Sequence, residues 1–149
     1  MEGVIFIGIQ GSGKSTFFKE RFFSTHVRIS LDLLKTRFRE QTFLDACLKT
    51  EQRFVMDNTN PTRDERQKYI AAAKANRYEV IGFYFQSKVA ECLRRNSERS
   101  ETDRVPDVAI LSTAKKLELP TRDEGFDRLF YVRMEDQRFV VEEWQDEIR

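Results

Sequence analysis

The sequence GIQGSGKS at residues 8–15 follows a short apolar run, VIFI at residues 4–7, close to the start of the chain. The first stretch fits the pattern GxxxxGK[ST], whose glycines let backbone N–H groups turn inward around phosphate oxygens. The apolar run predicts a strand buried on both faces of a parallel sheet, and the residues from Lys14 onward predict a helix whose N-terminus adds partial positive charge. Together they predict a phosphate-binding loop between the first strand and the first helix.

The side chains at the end of this loop have separate expected roles. Lys14 is expected to reach the β and γ phosphates of ATP, and the hydroxyl of Ser15 is expected to bind Mg²⁺. The other residues expected to bind the nucleotide are Gly11, Ser12, Gly13 and Thr16. A glycine turn that only joins a strand to a helix stays open as an alternative. A dinucleotide site is disfavoured, because the glycines do not follow GxGxxG and the Lys-Ser pair has no role there.

The composition indicates one folded domain without a membrane segment. The chain has 149 residues, 40% of them hydrophobic and 34% charged, which excludes wholesale disorder and a membrane protein. The N-terminus, Met1-Glu2-Gly3, starts with an acid and leads directly into the first apolar run, so we expect no secretion signal. Cys47 and Cys92 lie far apart without metal-type spacing. We therefore expect a cytoplasmic protein with two ordinary, half-buried thiols.

Apolar runs and helical patterns alternate along the rest of the chain. Strands are expected at residues 3–8, 26–30, 53–56, 78–85, 129–132 and 139–141, and helices at 14–23, 31–39, 43–52, 62–75, 88–99 and 108–117. Strands that alternate with helices predict an α/β fold, a parallel sheet with helices on both faces. Residues 1–149 are expected to form a single domain that binds its ligands beyond the carboxyl ends of the strands.

Two carboxylates come directly after the second and third strands, on the edge of the sheet that carries the glycine-rich turn. Asp32 is a candidate general base, because a kinase that acts on an alcohol needs a group to accept the hydroxyl proton. Asp57 is a candidate for orienting Mg²⁺ or its water shell, and Asn58 or Thr59 for contacting the acceptor. Simpler structural roles also fit, since Ser30 or Asp32 suits a helix cap and DNTNP at 57–61 suits a turn.

Positive charge is concentrated in two parts of a chain whose net charge is only +1. Residues 14–40 contain seven Lys or Arg against three acids, which would attract an anionic ligand. The stretch RRNSER at 94–99 runs into a polar loop at 100–106, and an arginine on a closing segment can neutralise charge on a transferred phosphoryl group. Arg99 suits this role best, so residues 94–107 are expected to form a helical lid. A solvated helix face explains either region equally well.

The order of these motifs resembles the P-loop polynucleotide 5′-kinases, which include the kinase domains of enzymes that repair DNA and RNA ends. The matching pieces are GIQGSGKST at 8–16, ISLDLL at 29–34, DNTNP at 57–61, RRNSER at 94–99, VPDVAI at 105–110 and LPTRDEGFDRL at 119–129. Many NTPases share the first piece, whereas DNTNP followed by the arginine-rich lid is more particular to this family. The resemblance spans nearly the whole chain.

The resemblance implies a role for each matching residue. Lys14 and Ser15 hold the donor phosphates and the metal, Asp32 is the general base, and Arg99 is the lid arginine. Asp57 matches an acidic position of the family. The full set of expected site residues adds Arg95 for the nucleotide, Asp57 for the metal and, for the acceptor, Asp32, Lys35, Asp57 and Asn58. The implied reaction transfers the γ-phosphoryl group of ATP to the 5′-hydroxyl of a DNA or RNA end, with Mg²⁺ as the metal.

Two residues depart from the family pattern. Gln10 stands where many members carry proline, and Lys35 stands where some members carry an arginine that contacts the acceptor strand. Members are often fused to phosphatase or ligase domains, so the chain is either a stand-alone kinase or one domain of a larger protein. Two other functions stay open. They are a kinase for a small alcohol such as a sugar or antibiotic, and a nucleotide-gated interaction module with slow ATPase activity.

Overall fold

Helices and strands alternate in the order expected from the sequence. The structure is a computed structural model in which residues 1–146 are described. Its strands are β1 (Glu2–Ile7), β2 (Val27–Ile29), β3 (Phe54–Met56), β4 (Glu79–Phe85), β5 (Arg128–Glu135) and β6 (Arg138–Glu143). Its helices are α1 (Lys14–Arg21), α2 (Leu31–Leu34), α3 (Arg37–Thr50), α4 (Arg63–Ala75), α5 (Val89–Ser97) and α6 (Asp107–Lys116), with a short 3₁₀ helix at Arg122–Glu124. No helix within residues 1–146 is long and apolar enough to cross a membrane.

Residues 31–52 differ most from the expected pattern. The sequence predicts helices over 31–39 and 43–52, whereas α2 ends at Leu34 and α3 runs without a break from Arg37. Lys35 ends α2 because its φ of 75° is not helical. The hydroxyl of Thr36 then accepts a hydrogen bond from the N–H of Arg39 at 3.1 Å and so caps α3. The predicted helix over 31–39 is therefore wrong.

The strands of residues 1–146 form one sheet in the order β2-β3-β1-β4-β5-β6. β1 to β5 are parallel, which confirms the expected α/β fold, but β6 is antiparallel to β5. The two residues between these strands, Asp136 and Gln137, have positive φ values of 51° and 62°. A two-residue turn of this kind joins antiparallel neighbours, whereas a parallel pair needs a long crossover. The expected parallel sheet therefore gains one antiparallel edge strand.

β1 is buried on both faces of the sheet. Val4 and Phe6 pack with Phe17 of α1 in one core, in which the ring centroids of Phe6 and Phe17 are 5.9 Å apart. Ile5 and Ile7 pack against residues of α3 and α4 in a second core. Helices therefore cover both faces, as the continuous apolar run of this strand predicts.

Both cysteines are free and lie in the protein interior. Cys47 of α3 belongs to the larger core, and Cys92 of α5 packs with Ile9 and Ile110. Burial raises the pKa of both thiols, which favours the unreactive protonated form. They are ordinary thiols, as expected, but they are more deeply buried than the half-buried state that the sequence predicts.

Candidate functional site

The carboxyl ends of three neighbouring strands meet at one edge of the sheet. Met56 at the end of β3 is in register with Ile5 of β1 and with Ile29 of β2. The glycine-rich loop, α2 and the segment at 57–61 follow these three strands directly. The three polar segments singled out in the sequence therefore come together in space.

The glycine-rich loop turns back over the end of the sheet. Gly11 and Gly13 have φ values of 83° and 99°, a region in which glycine is strongly preferred. A Cβ on Gly11 would lie 2.6 Å from the carbonyl oxygen of Cys92, so the loop also packs closely against α5. No side chain caps the N-terminus of α1, whose first N–H groups have no acceptor within the helix. The loop and α1 therefore present backbone donors suited to phosphate oxygens.

Lys14 is buried beneath this loop. Its Nζ donates hydrogen bonds to the carbonyl oxygens of Gly8 and Ile9, both at 2.9 Å. Burial lowers the pKa of Lys14 from 10.5 to about 8. The side chain is therefore charged in most molecules at neutral pH, and it lies next to the backbone that would hold phosphates.

Other predicted site residues act electrostatically on Lys14. The carboxylates of Asp57 and Asp32 raise its pKa, and the guanidinium of Arg99 lowers it, although burial has the largest effect. A charge shifts a pKa in this way only when it lies close to the titrating group. Of these three groups, Asp57 has contact geometry beside Lys14, because its Oδ2 lies 3.5 Å from Oγ of the adjacent Ser15.

Asp57 is buried and contacts two other side chains. Its Oδ2 accepts a hydrogen bond from Nε of Arg28 at 2.8 Å and lies 3.5 Å from Oγ of Ser15. Nη2 of Arg28 donates to the same Ser15 oxygen at 3.1 Å. Sequence reasoning missed Arg28, because a lone arginine in a three-residue strand belongs to no motif.

The oxygens of Ser15 and Asp57 suit Mg²⁺, which prefers hard oxygen ligands. No group of three or more His, Cys, Asp or Glu side chains within residues 1–146 could hold a metal. Mg²⁺ often takes only one or two ligands from the protein and the rest from water and substrate phosphates. The two residues therefore fit the metal that the resemblance implies.

The segment DNTNP at 57–61 is fastened to the base of the glycine-rich loop. The N–H of Gly8 donates to the carbonyl oxygen of Thr59 at 3.0 Å. Nδ2 of Asn60 donates to the carbonyl oxygen of Phe6 at 2.8 Å, and Asn60 itself has a left-handed φ of 43°. This segment is thus a turn, as the structural alternative proposed, and it also fixes Asp57 relative to Lys14.

Asp32 lies exposed in the first turn of α2. Oγ of Ser30 accepts a hydrogen bond from the N–H of Asp32 at 3.2 Å, so Ser30 is the residue that caps the helix. The N–H of Leu31 donates to Oδ1 of Asn58 at 2.8 Å. The backbone around Asp32 is therefore anchored at two points, and its carboxylate is not needed as a cap.

A buried carboxylate connects Asn58 to α3 and α4. Glu40 is 2% exposed and accepts hydrogen bonds from Nδ2 of Asn58 at 2.7 Å, the hydroxyl of Tyr69 at 2.8 Å and Nη1 of Arg37 at 3.1 Å. The amide oxygen of Asn58 thus contacts α2, and its amide nitrogen contacts α3. Direct contact of Asn58 with an acceptor stays a prediction. In the sequence, Glu40 is indistinguishable from a solvated residue of a charged helix.

The motif at 119–129 has a structural role in this region. Arg66 and Glu124 are fully buried and form two hydrogen bonds, at 2.8 and 3.1 Å. Nη1 of Arg66 also donates to the carbonyl oxygen of Asn60 at 2.9 Å, and the N–H of Thr121 donates to Glu124 at 2.8 Å. The motif therefore fixes α4 and the turn at 57–61 relative to each other.

The arginines of the expected lid differ in their contacts. Nη1 of Arg95 donates to the carbonyl oxygen of Gly11 at 3.1 Å, which places it at the glycine-rich loop. Arg94 lies on the surface 3.8 Å from Glu98. Arg99 is partly exposed just beyond α5, and its charge acts on Lys14. Arg95 therefore contacts the glycine-rich loop, Arg94 pairs with Glu98 on the surface, and the role of Arg99 in the site stays a prediction.

The segment after α5 is held at both of its ends. Nδ2 of the buried Asn96 donates to the carbonyl oxygen of Val105 at 2.7 Å, and the N–H of Val105 donates back to Oδ1 at 3.0 Å. Arg104 donates to the carbonyl oxygen of Arg99 at 3.0 Å. These bonds close the polar loop at 100–106 into a compact unit. Its movement as a lid stays a prediction.

The surface of α2 and the start of α3 combines positive charge with exposed apolar side chains. Lys35 and Arg39 are exposed, and so are 60% of Leu33 and 80% of Phe38. Asp32 belongs to the same surface segment. Sequence reasoning identified its charge but assigned no role to Leu33 and Phe38, because apolar helix residues are usually buried.

Comparisons with known proteins identify the family of this chain. A family model described as an AAA domain matches residues 4–120. The bifunctional polynucleotide phosphatase/kinase of Schizosaccharomyces pombe is 30% identical over 130 residues, which cover 84% of this chain and 32% of that protein. This chain therefore spans about a third of the length of that curated relative.

Solved structures of other proteins share the fold. Kti12 of Chaetomium thermophilum, in complex with ADP-AlF3, is 18% identical, with a TM-score of 0.68 and coverage of 90% of both chains. A gluconokinase from Sinorhizobium meliloti 1021 is 17% identical, with a TM-score of 0.63 and coverage of 89% of this chain and 82% of that one. The resemblance to P-loop polynucleotide kinases is confirmed by the family match and the curated relative, and the chain belongs to the P-loop family described as the AAA domain.

Proposed function

We propose that this chain transfers the γ-phosphoryl group of ATP to the 5′-hydroxyl of a DNA or RNA end. The observation that carries the proposal is the contact geometry at the end of the sheet. Oδ2 of Asp57 lies 3.5 Å from Oγ of Ser15, next to Lys14, and Asn58 holds the turn of Asp32 through the N–H of Leu31 at 2.8 Å. Phosphoryl transfer needs a phosphate cradle, a group for the acceptor proton and positive charge around the transferred group. Similarity to a protein named as a polynucleotide phosphatase/kinase supports the choice of acceptor.

ATP is the proposed donor. The backbone of the glycine-rich loop and the N-terminus of α1 bind its phosphate oxygens, and Lys14 contacts the β and γ phosphates. A pKa of about 8 keeps Lys14 mostly charged at neutral pH. Ser15 and Asp57 would hold Mg²⁺, which when bound neutralises charge on the β and γ oxygens.

Asp32 is the proposed general base. Its carboxylate is exposed, so an acceptor hydroxyl can approach it from solvent, while Ser30 and Asn58 fix the turn that carries it. A carboxylate in hydrogen-bond reach of the hydroxyl orients the attacking oxygen and takes its proton as the bond to phosphorus forms. Arg99 is the proposed group that stabilises the negative charge on the transferred phosphoryl group.

The surface around Asp32 favours a nucleic-acid acceptor over a small alcohol. Lys35 and Arg39 attract the phosphates of a strand. The exposed ring of Phe38 offers a stacking surface, and stacking of a base on an aromatic side chain stabilises a complex by about 1–3 kcal/mol. Stacking does not depend on base identity, so this surface fits DNA and RNA ends alike. A sugar substrate would use neither feature.

A labelled-ATP assay tests the proposal. The protein, Mg²⁺ and γ-labelled ATP are incubated with a 5′-hydroxyl DNA oligonucleotide, the matching RNA, a panel of sugars and antibiotics, or no acceptor. We expect label on the 5′ end of the DNA, the RNA or both, and none on the same oligonucleotides that already carry a 5′-phosphate. Label only on a small alcohol, or ATP hydrolysis that no acceptor changes, would contradict the proposal and favour one of the two alternatives.

A further inference from the structure

Arg28 fills the space between the two oxygens that fit a metal ion. Its Nε donates to Oδ2 of Asp57 at 2.8 Å, and its Nη2 donates to Oγ of Ser15 at 3.1 Å. The Asp57 side chain is only 2% exposed. A buried carboxylate is costly without a cationic partner. In this state of the protein, Arg28 is the cation that contacts Asp57.

A divalent cation on the same oxygens would lie close to this guanidinium. Mg²⁺ binds oxygen ligands at about 2.1 Å. A Mg²⁺ on Oγ of Ser15 would therefore lie within about 5 Å of Nη2 of Arg28, whatever its direction. Two positive groups at this distance repel each other in a partly buried site. The guanidinium and the metal therefore compete for the same oxygens.

The position of Arg28 in the fold allows its guanidinium to move away from Ser15 and Asp57 into solvent. β2 is an edge strand of the sheet, and Arg28 is in register with Val55, on the face that α1 covers. The Arg28 side chain is already 28% exposed. Its long, flexible stem can carry the charge into solvent while β2 stays paired with β3.

We propose that Arg28 is the resident cation of the Ser15–Asp57 pair in the nucleotide-free protein, and that its guanidinium leaves Ser15 when a metal–nucleotide complex binds. Arg28 is then a positioning residue that keeps the carboxylate of Asp57 paired. It also sets the concentration of divalent cation that is needed to fill the site. This inference rests on the nucleotide site of the proposed function but not on its acceptor.

Binding of Mn²⁺ in the presence of ADP, followed by electron paramagnetic resonance, tests the inference without any turnover. Arg28→Gln removes the competing charge, and we expect it to bind Mn²⁺ about tenfold more tightly than the wild type. Arg28→Lys keeps the charge but cannot contact both oxygens through separate nitrogens, so its affinity should lie between the two. Arg128→Gln is the matched control, because Arg128 is an exposed arginine that pairs with Glu79 at the amino ends of β5 and β4, whereas the candidate site lies at the carboxyl ends of the strands.

Thermal unfolding gives a second readout that needs neither nucleotide nor activity. Arg28→Gln leaves the buried carboxylate of Asp57 without its guanidinium, so its Tm should be lower than that of the wild type. Mg²⁺ alone should raise the Tm of this variant and have little effect on the wild type, since a ligand stabilises the state that binds it. If Arg28→Gln folds only with Mg²⁺, that rescue also supports the inference.

Two failures of this experiment have different meanings. If both Arg28 variants bound Mn²⁺–ADP no more tightly than the wild type and Arg128→Gln do, the proposed role of Arg28 would be wrong. If the wild-type protein bound no ADP with Mn²⁺, the nucleotide site of the proposed function would itself be wrong. If Arg28→Gln does not fold under any condition, the Mn²⁺–ADP affinity of Arg28→Lys tests the inference instead.

Discussion

The N–H of Gly8 donates a hydrogen bond to the carbonyl oxygen of Thr59 at 3.0 Å, which joins the glycine-rich loop to the turn after β3. Asn60 strengthens this connection through its hydrogen bond to the carbonyl oxygen of Phe6 at 2.8 Å. The two segments therefore form one rigid frame at the end of the sheet. This frame explains how Lys14 and Asp57, far apart in the sequence, come to act on one site.

Nucleotide affinity should fall as the pH rises through about 8. Burial lowers the pKa of Lys14 from 10.5 to about 8, so the free protein loses this positive charge above that pH. Bound phosphates favour the charged form, and binding near this pH should take up a proton. Calorimetric titration with ADP at about pH 7 and about pH 9, in buffers of different ionisation enthalpy, measures both effects. Lys14→Met should bind more weakly and lose this pH dependence. Equal wild-type affinities at the two pH values would contradict the expectation.

Asn58→Ala should lower kcat more than it weakens nucleotide binding. The change removes the hydrogen-bond acceptor of the Leu31 N–H and a donor to the buried Glu40, so the turn that carries Asp32 loses an anchor. Each such loss costs about 1–3 kcal/mol. Steady-state kinetics and an ADP titration separate the two effects. Asn76→Ala, at the exposed end of α4, is the control and should change neither. A parallel loss of nucleotide affinity would contradict a role through Asp32.

Replacing one partner of the buried ion pair should destabilise the fold strongly. Arg66→Met or Glu124→Gln leaves the other charge or its hydrogen bonds without a partner, at a cost of about 3–5 kcal/mol in the free energy of unfolding. The double variant Arg66→Met, Glu124→Gln should lose less than the sum of the single variants, because no buried charge remains. Urea unfolding measures all four proteins, and additive losses would argue against a coupled pair.

Arg99→Ala should lower kcat by about 10²–10³, because a positive charge near the transferred group is lost. Arg94→Ala is the matched control on the preceding helix. Arg94 is exposed and lies 3.8 Å from Glu98, whereas Arg99 is partly exposed just beyond α5. Initial rates at saturating ATP distinguish the two variants. Equal effects of both changes would show that the lid contributes only general positive charge.

The parts of this protein that could be predicted from sequence are those set by short, local patterns. The run at 4–7 and the glycine-rich loop define a buried strand, a turn and a helix within a few residues of one another. Because parallel strands place their carboxyl ends at one edge, this alternation also predicted that Asp32 and Asp57 would approach the loop. The β5–β6 hairpin was missed, since Asp136 and Gln137 are not the Asn-Gly or Gly residues that announce such a turn.

The contacts that could not be predicted join residues distant in the chain. Arg28 contacts Ser15 and Asp57 only because β2 pairs with β3 beside α1, and nothing in its neighbours along the chain signals this. Glu40 is buried because Asn58 and Tyr69 reach it from other elements. Charged residues like these are mostly exposed in proteins, so their burial appears only once the elements are assembled.

Phosphoryl transfer to a 5′-hydroxyl oligonucleotide by the wild type and by Asp32→Asn, at saturating ATP, tests the central claim most directly. The proposed mechanism predicts a labelled 5′ end with the wild type and a kcat lower by about 10²–10⁴ with the variant. ADP affinity should be nearly the same for both proteins, because Asp32 is not among the residues proposed to bind the nucleotide. Wild-type turnover by Asp32→Asn, or no transfer to the oligonucleotide by either protein, would contradict the claim.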